Sequence, residues 1–382
     1  MTTEAGTQRP KCLVVAPGLS GNAGDSVVLR HVAKALSEDF ELSFVQIESV
    51  GRVDRLISLT RLNLPLELLR YDGAVNRKRL VDALAAEKPD MVLLLHEGAF
   101  LLLDEVKKAG LPCLLYPHNV HTLIGRTDPY WLSRVFLGPT TRFERKRYGD
   151  LYAAMVCISE ADRLALEESA LRAGETPVAP PGMPPLAPLS PDAVLSPEIV
   201  LTGSYGWWRK WRSLQRFARS PGELPSPALV TDERALGLLG ASARLGQPQE
   251  VTTGKTVQFG LITDYFTGGF KLKSIEYVAM NCIVLACCDI SMEFAGIPDG
   301  DVFVRRVASK ADVRRAIEAF QAEPERELVE RFARFRAACA ERFEWTRSLK
   351  PLTDAVAARL AAQGEVRPAR RIEAKLAARA NA

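Results

Sequence analysis

Short, unbroken apolar runs alternate along this chain with segments that repeat their apolar residues at helical spacing, and few folds satisfy that alternation. The runs at 12–16 (CLVVA), 42–48, 91–95 (MVLLL), 113–116 and 154–158 are strand-length. A strand that is apolar along its whole length is buried on both faces, as in a parallel sheet covered by helices on each side. Helical patterns at 25–36, 75–86, 101–108 and 161–172, with a long stretch ending at Tyr148, supply those covers. The alternation resumes at 199–202, 228–230, 257–262 and 283–286. Helices are predicted there around 214–218, at 271–280, near 310–322 and 327–339, and over roughly 346–362. The spacing therefore predicts an α/β protein built in two halves, each on its own parallel sheet.

Proline separates the halves. Between Pro177 and Pro197 lie eight of the chain's 24 prolines, with almost no charge. Such a stretch cannot continue a helix or a central strand, and it reads as a stiff linker. The expected organisation is a first domain over 1–180, a linker over 181–198 and a second domain over 199–345. A closing helix over 346–363 is expected to pack back on the first domain, ahead of a flexible Ala/Arg-rich tail over 364–382.

Composition narrows the function classes. At 382 residues the chain is too long for one ordinary core. Its 47% hydrophobic and 25% charged residues are those of a soluble globular protein. The net charge of +4, from 50 basic against 46 acidic side chains, argues against a nucleic-acid partner. The polar start of the chain lacks the apolar stretch of a signal peptide, and no run reaches the roughly 20 apolar residues of a spanning helix. The seven cysteines are an odd number with no CxxC spacing, so neither a zinc site nor a disulfide framework is indicated. The expectation is a reduced, cytoplasmic protein.

In open parallel sheets ligands bind beyond the carboxyl ends of the strands, and the unusual residues of this chain fall there. The first strand leads into Gly18, Gly21 and Gly24 and then a helix, a junction where the backbone can approach an anionic ligand. The spacing is GxxGxxG rather than GxGxxG, so a nicotinamide dehydrogenase, for which Glu48 would be the ribose acid, fits poorly. His96 and Glu97 follow the third strand, and His118, Asn119 and His121 follow the fourth. Histidines at a sheet edge can donate to a phosphate or hydroxyl or exchange a proton, and they can equally be turn residues bonded to nearby backbone. No metal-ligand spacing accompanies them, so no metal is expected.

In the second half Gly203, Ser204, Tyr205, Gly206, Trp207, Trp208, Arg209, Lys210, Trp211 and Arg212 form a loop after 199–202. Aromatic faces beside fixed cations suit a base or sugar ring next to a diphosphate, with core packing the alternative for one or two of the tryptophans. Further on, Gly268 and Gly269 precede a helix on which Lys273 and Glu276 stand at i and i+3 and share one face. An ordinary helix ion pair is the other reading of that spacing.

Taken in order, these elements resemble glycosyltransferase family 4, the group 1 transferases of the GT-B fold. Gly268 to Glu276 and the following Ala279 to Val284 are similar to that family's GG-x-x-x-K-x-x-E-x-x-A-x-G-x-PVV element. Gly203 to Trp207 is similar to its GS-x-x-W, His118 to Val120 to its HN-V-E, and Val156 to Ser159 to its V-x-x-S. Pro180 to Gly182 matches its PPG, and Glu344 with Trp345 its late SW. The resemblance runs from about Leu13 to Leu360. It implies two Rossmann-like parallel-sheet domains facing each other across a cleft, and retaining transfer from a nucleotide-sugar without a metal or other cofactor. Carried over, Glu276 binds ribose hydroxyls, and Lys273 binds the diphosphate with the amides of Gly268 and Gly269. Arg209 or Lys210 is a second diphosphate cation, and Gly203 and Ser204 also lie on the donor side. His118 sits by the transferred sugar; His96, Glu97, Asn119 and His121 lie on the acceptor side. The chain departs from the pattern in three places. Gly268 stands where many members have a glutamate, His121 stands where the HN-V turn continues with one, and 281–285 replaces the G-x-PVV turn.

Two rival readings share the fold: a nucleotide-sugar epimerase or hydrolase, which consumes the same donor without an acceptor, and a non-catalytic scaffold. Arg52, Arg55, Arg61, Arg70, Arg77, Lys78 and Arg79, interleaved with leucines, form either a solvated helix face or a surface for anionic lipid. In the second case the protein is peripheral at the inner face of the membrane, and its acceptor is a lipid-linked glycan.

Overall fold

The computed structural model describes residues 9–18, 24–62, 64, 68–150, 152–169, 176–247, 250 and 254–380. The chain divides into two compact units. Unit 1 comprises Met1–Gly125, Arg134–Pro180 and Leu349–Ala382, and unit 2 comprises Arg126–Ser133 and Pro181–Ser348.

Unit 1 is built on β1 (Lys11–Ala16), β2 (Glu41–Gln46), β3 (Met91–Leu95), β4 (Cys113–Tyr116) and β5 (Ala153–Met155), in the order β2-β1-β3-β4-β5. All its pairings are parallel. Every residue of β3 and β4 is buried, as a sheet covered on both faces requires. The helices between the strands are α1 (Gly24–Leu36), α2 (Arg52–Leu62), α3 (Ala74–Glu87), α4 (Leu103–Lys108), α5 (His121–Thr127), α6 (Trp131–Val135), α7 (Leu137–Tyr148) and α8 (Glu160–Glu168). The core gathers Leu13, Val15, Val92, Leu94, Phe100, Leu115 and Tyr148. The long helix expected up to Tyr148 is three short ones. Glu48 lies beyond β2 rather than at its end.

Unit 2 has β6 (Val194–Leu201), β7 (Ala228–Val230), β8 (Ala243–Leu245), β9 (Thr256–Ile262), β10 (Cys282–Ala286) and β11 (Val304–Arg306), all parallel, in the order β11-β10-β9-β6-β7-β8. Its helices are α9 (Trp208–Ala218), α10 (Glu233–Leu239), α11 (Leu272–Ala279), α12 (Gly300–Phe303), α13 (Lys310–Gln321) and α14 (Glu325–Arg342). Last comes α15 (Trp345–Ala380), which belongs to unit 1 from Leu349 onward and whose helical backbone continues through the segment read as a tail.

One expectation fails for a clear reason. The proline-rich stretch does enter a central strand, because β6 passes through Pro197. Val194 and Leu195 pair with Thr256 and Val257, and pairing resumes at Ile199 with Phe259, a shift of register between. Proline has no N–H to give a ladder, and it is accommodated where a bulge interrupts the pairing.

Candidate functional site

Each sheet reverses its winding once. In unit 2 the chain runs outward through β6, β7 and β8, then returns beside β6 to continue through β9, β10 and β11. The crevice past the carboxyl ends of adjacent β6 and β9 is a topological switch point, where open α/β sheets place their ligands. Gly203 and Ser204 follow β6, and Thr263 and Asp264 follow β9. In unit 1 the switch point lies between β1 and β3, followed by Gly18 and by His96 and Glu97.

The unit 2 crevice is rich in lysine. Gly203 has φ +97°, and a Cβ there would lie 2.5 and 2.6 Å from Cε and Nζ of Lys273. The lysine amine thus occupies space that only glycine leaves, 5.2 Å from the Tyr205 ring centroid. Lys271 lies 3.6 Å from Asp264 and 4.4 Å from the Phe266 ring centroid. Burial followed by the nearby Lys210 charge pushes the Lys273 amine down to about 8. Burial raises the Glu276 carboxyl above its ordinary range, while Lys273 and Lys210 pull the other way. Burial also works against the charge of Asp264, yet Lys271, Lys210 and Lys273 outweigh it and hold that carboxyl low. Three cations therefore converge on one strand edge: burial works against the charge of Lys271, yet Asp264 outweighs it, whereas Lys273 is charged at an energetic disadvantage that a polyanion would relieve. Gly203→Ala is expected to displace the Lys273 amine without removing its charge. A loss of anion affinity with unchanged net charge, measured by titration calorimetry, checks this.

Glu276 also lines a pocket of about 530 Å³ with Thr202, Met280 and the proline segment Pro184, Pro185 and Pro188. The linker wall is fixed. Ala187 N–H donates to Ala279 O at 2.8 Å, Asn281 Nδ2 to Pro188 O at 2.8 Å, and the buried Arg336 to Ala187 O at 2.7 Å and Val278 O at 3.1 Å. Asn281 has φ +65°, the left-handed conformation that asparagine tolerates after a helix.

Other expected donor-side residues are placed differently. Arg209 is buried in an ion pair with Asp128 and is bound by Ser133, whereas Lys210 contributes charge at Lys273. The stretch from Trp208 is already helix α9. Trp207 meets Phe266 edge-on at 5.2 Å, and Trp211 packs on the core. Ser204 Oγ accepts Gly206 N–H at 3.3 Å, a local turn bond. Gly269 has φ +61°, and Gly268 O lies 3.5 Å from Lys271 Nζ. Glu293, which sequence reasoning did not select, brings a buried carboxylate to the start of α11, accepting Lys271 N–H at 3.2 Å and Ser274 Oγ–H at 3.3 Å.

In unit 1 the expected acceptor-side residues come together around Glu97. Its carboxylate accepts His118 N–H at 3.1 Å, the Asn119 side-chain amide at 3.1 Å, and lies 3.2 Å from His121 Nε2. Two further buried carboxylates, absent from the sequence reading, complete the hold. Asp162 accepts Val120 N–H at 3.2 Å, and Glu144 accepts the N–H groups of His121 and Thr122 at 2.6 and 3.0 Å. Burial opposes the charge of Glu97, but His96, His121 and His118 hold it well below the usual carboxylate range. His96 adopts φ +85°, uncommon outside glycine, and its Nδ1 accepts Gly98 N–H at 3.0 Å. A neutral His96 therefore carries its proton on Nε2, 3.9 Å from Glu97. The His118 ring lies edge-on to His96 and Tyr116, at 5.6 and 5.9 Å. Gly18 has φ +139° and backs onto Gln46, Gly24 opens α1, and Gly21 lies outside the described residues. Among the described residues, no group of three His, Cys, Asp or Glu is arranged to hold a metal, and no helix is long and apolar enough to cross a membrane.

No protein-family profile matches the chain, and no curated protein is similar to it in sequence. Solved structures are similar over almost the whole length. Sucrose-phosphate synthase from Thermosynechococcus elongatus superposes with a TM-score of 0.64 at 13% identity, over 96% of this chain and 100% of that one. A lipopolysaccharide outer core galactosyltransferase gives 0.52 at 15%, over 91% and 99%. An alpha,alpha-trehalose-phosphate synthase (UDP-forming) from Burkholderia vietnamiensis gives 0.51 at 12%, over 92% and 100%. The two parallel-sheet α/β domains of this chain have the GT-B fold.

Proposed function

We propose that this protein is a glycosyltransferase that moves a sugar from a nucleotide-sugar to a glycan, lipid-linked or other small acceptor, with retention, in the synthesis of cell-surface polysaccharide or another glycoconjugate. The observation that carries the reading is the unit 2 switch point, where Lys273, Lys210 and Lys271 converge beside Glu276 and its pocket. In this reading Lys273 and Lys210 bind the diphosphate, and their charge stabilises the negative charge that grows on it as the glycosidic bond loosens. Glu276 accepts the ribose hydroxyls, and the proline-walled pocket beside it takes the base. In unit 1, His118, whose backbone N–H Glu97 accepts at 3.1 Å, is the residue that donates to a sugar hydroxyl. The galactosyltransferase and UDP-forming synthase named above share the fold, which supports the reading. Transfer takes place in the cytoplasm, or at the inner face of the membrane when the acceptor is lipid-linked.

The test is a thermal-shift screen with UDP, GDP, dTDP, ADP and NAD(P), repeated on Glu276→Ala, because a ligand well above its dissociation constant stabilises by mass action. A nucleoside diphosphate should raise the melting temperature of the native protein and do so much less in the variant. A response to NAD(P) alone, or to no nucleotide, would sink the proposal. Proton uptake gives a second check. The free Lys273 amine titrates near about 8, and a bound diphosphate raises it. Binding should then take up a proton above that pH, and affinity should fall as pH rises towards the ordinary lysine range. Calorimetry at alkaline pH in two buffers of different ionisation enthalpy measures this, and identical heats would remove Lys273 from the diphosphate.

A further inference from the structure

Unit 1 carries a second concavity past the carboxyl end of β2, formed by residues to which the reading above gives no role. It has a volume of about 420 Å³, and its walls are the first turns of α2 and α3 with the segment between β2 and α2. That volume is within the range of small-molecule sites. Glu48, Asp54, Ser58, Asp72, Val75 and Arg77 line it.

The pocket is built rather than incidental. The buried Asn76 side chain accepts Glu48 N–H at 2.9 Å and donates to Glu48 O and Tyr71 O, each at 2.9 Å, so it ties the end of β2 to the start of α3. Asp72 is buried, accepts Ser58 Oγ–H at 2.7 Å and pairs with Arg77. A Cβ on Gly73 would fall 2.5 Å from Val50 Cγ1, so the two walls meet without slack. Preorganisation of this kind is what a binding site requires of its supporting residues.

The chemistry of the lining selects the ligand. Glu48 pairs with Arg79 at 2.9 Å and Asp72 with Arg77 and Ser58, yet each carboxylate, like that of Asp54, has lone pairs beyond these bonds to accept from hydroxyls. Arg77 has further N–H groups to donate, the Ser58 oxygen can accept, and Val50 and Val75 offer small apolar faces. Alternating acceptors and donors beside C–H-sized apolar surface match a ring that carries several hydroxyls. An anion would meet three carboxylates, of which Arg77 and Arg79 offset two. A divalent ion needs convergent ligands, and no such group is found among the described residues. We propose that this pocket is a saccharide-binding site, with Asp54 accepting from sugar hydroxyls at its rim.

Saturation-transfer NMR with methyl glucoside, galactoside, mannoside and N-acetylglucosaminide tests this without any nucleotide, so it is independent of the fate of the donor site. At least one glycoside should receive saturation from the native protein. Asp54→Asn, which keeps the shape of an exposed side chain, should reduce the signal several-fold with an unchanged melting temperature. Absence of transfer to every glycoside overturns the proposal, as does transfer that Asp54→Asn and Ser58→Ala both leave intact. A melting-temperature rise with calcium or magnesium that Asp54→Asn abolishes, without glycoside transfer, would also overturn it by making the pocket a cation site.

Discussion

Asp128→Ala is expected to lower the stability of unit 2 by about 3–5 kcal/mol, the loss typical when one partner of a buried ion pair is removed. The Asp128 and Arg209 side chains are 0% and 5% exposed, and Ser133 binds the same guanidinium. Without the carboxylate, Arg209 keeps a buried charge that the Ser133 hydroxyl and the Trp208 ring, 4.6 Å away, compensate only in part. Replacing both partners with apolar residues, as in Asp128→Ala/Arg209→Met, removes that charge and should recover much of the loss. Urea denaturation of the single and double variants reads the difference. A single-variant loss below about 1 kcal/mol would place the pair among hydrated surface bridges instead.

Lys273→Ala is expected to weaken nucleoside diphosphate binding on the order of hundredfold, about 3 kcal/mol, in the range for truncating a desolvated charged contact. Lys273→Arg should rescue little, since the space beside Gly203 accommodates an amine on a slim stem and no planar fork. The ligand-free protein should respond in the opposite sense. A lysine titrating at about 8 in the folded chain, below its unfolded value, opposes folding at neutral pH. That opposition fades as pH rises through the interval between the two values. Removing the amine should therefore raise the melting temperature of the free protein at pH 7 while reducing the shift given by the nucleotide. A residue of purely structural importance would lower both, so the pair of measurements separates the two roles.

Strand content was legible because β1, β3, β4, β9 and β10 are buried along nearly their whole length and read as continuous apolar runs. The strands that escaped are β8 and β11, edge strands of three residues that carry arginine. β6 was cut short because Pro197 signals a break, and only the register with β9 shows that a bulge absorbs it. At the site, Lys273 and Glu276 stand on one helix and their spacing revealed them. Asp128, Glu144, Asp162 and Glu293 act through partners between 19 and 81 residues distant in sequence, for which local pattern carries no signal.

The interleaving of the two units has a consequence for vectorial synthesis. Unit 1 is the first to leave the ribosome, and chains ordinarily fold in that order. Yet Leu349, Leu352 and Val356, all buried, and Arg359, which donates to Tyr152 O, belong to unit 1 and are translated after unit 2. Until α15 emerges, the nascent first half presents an uncovered apolar face while a whole domain is still being made. A stop codon placed just before Leu349 should therefore leave unit 1, rather than the unit nearest the truncation, as the aggregating half.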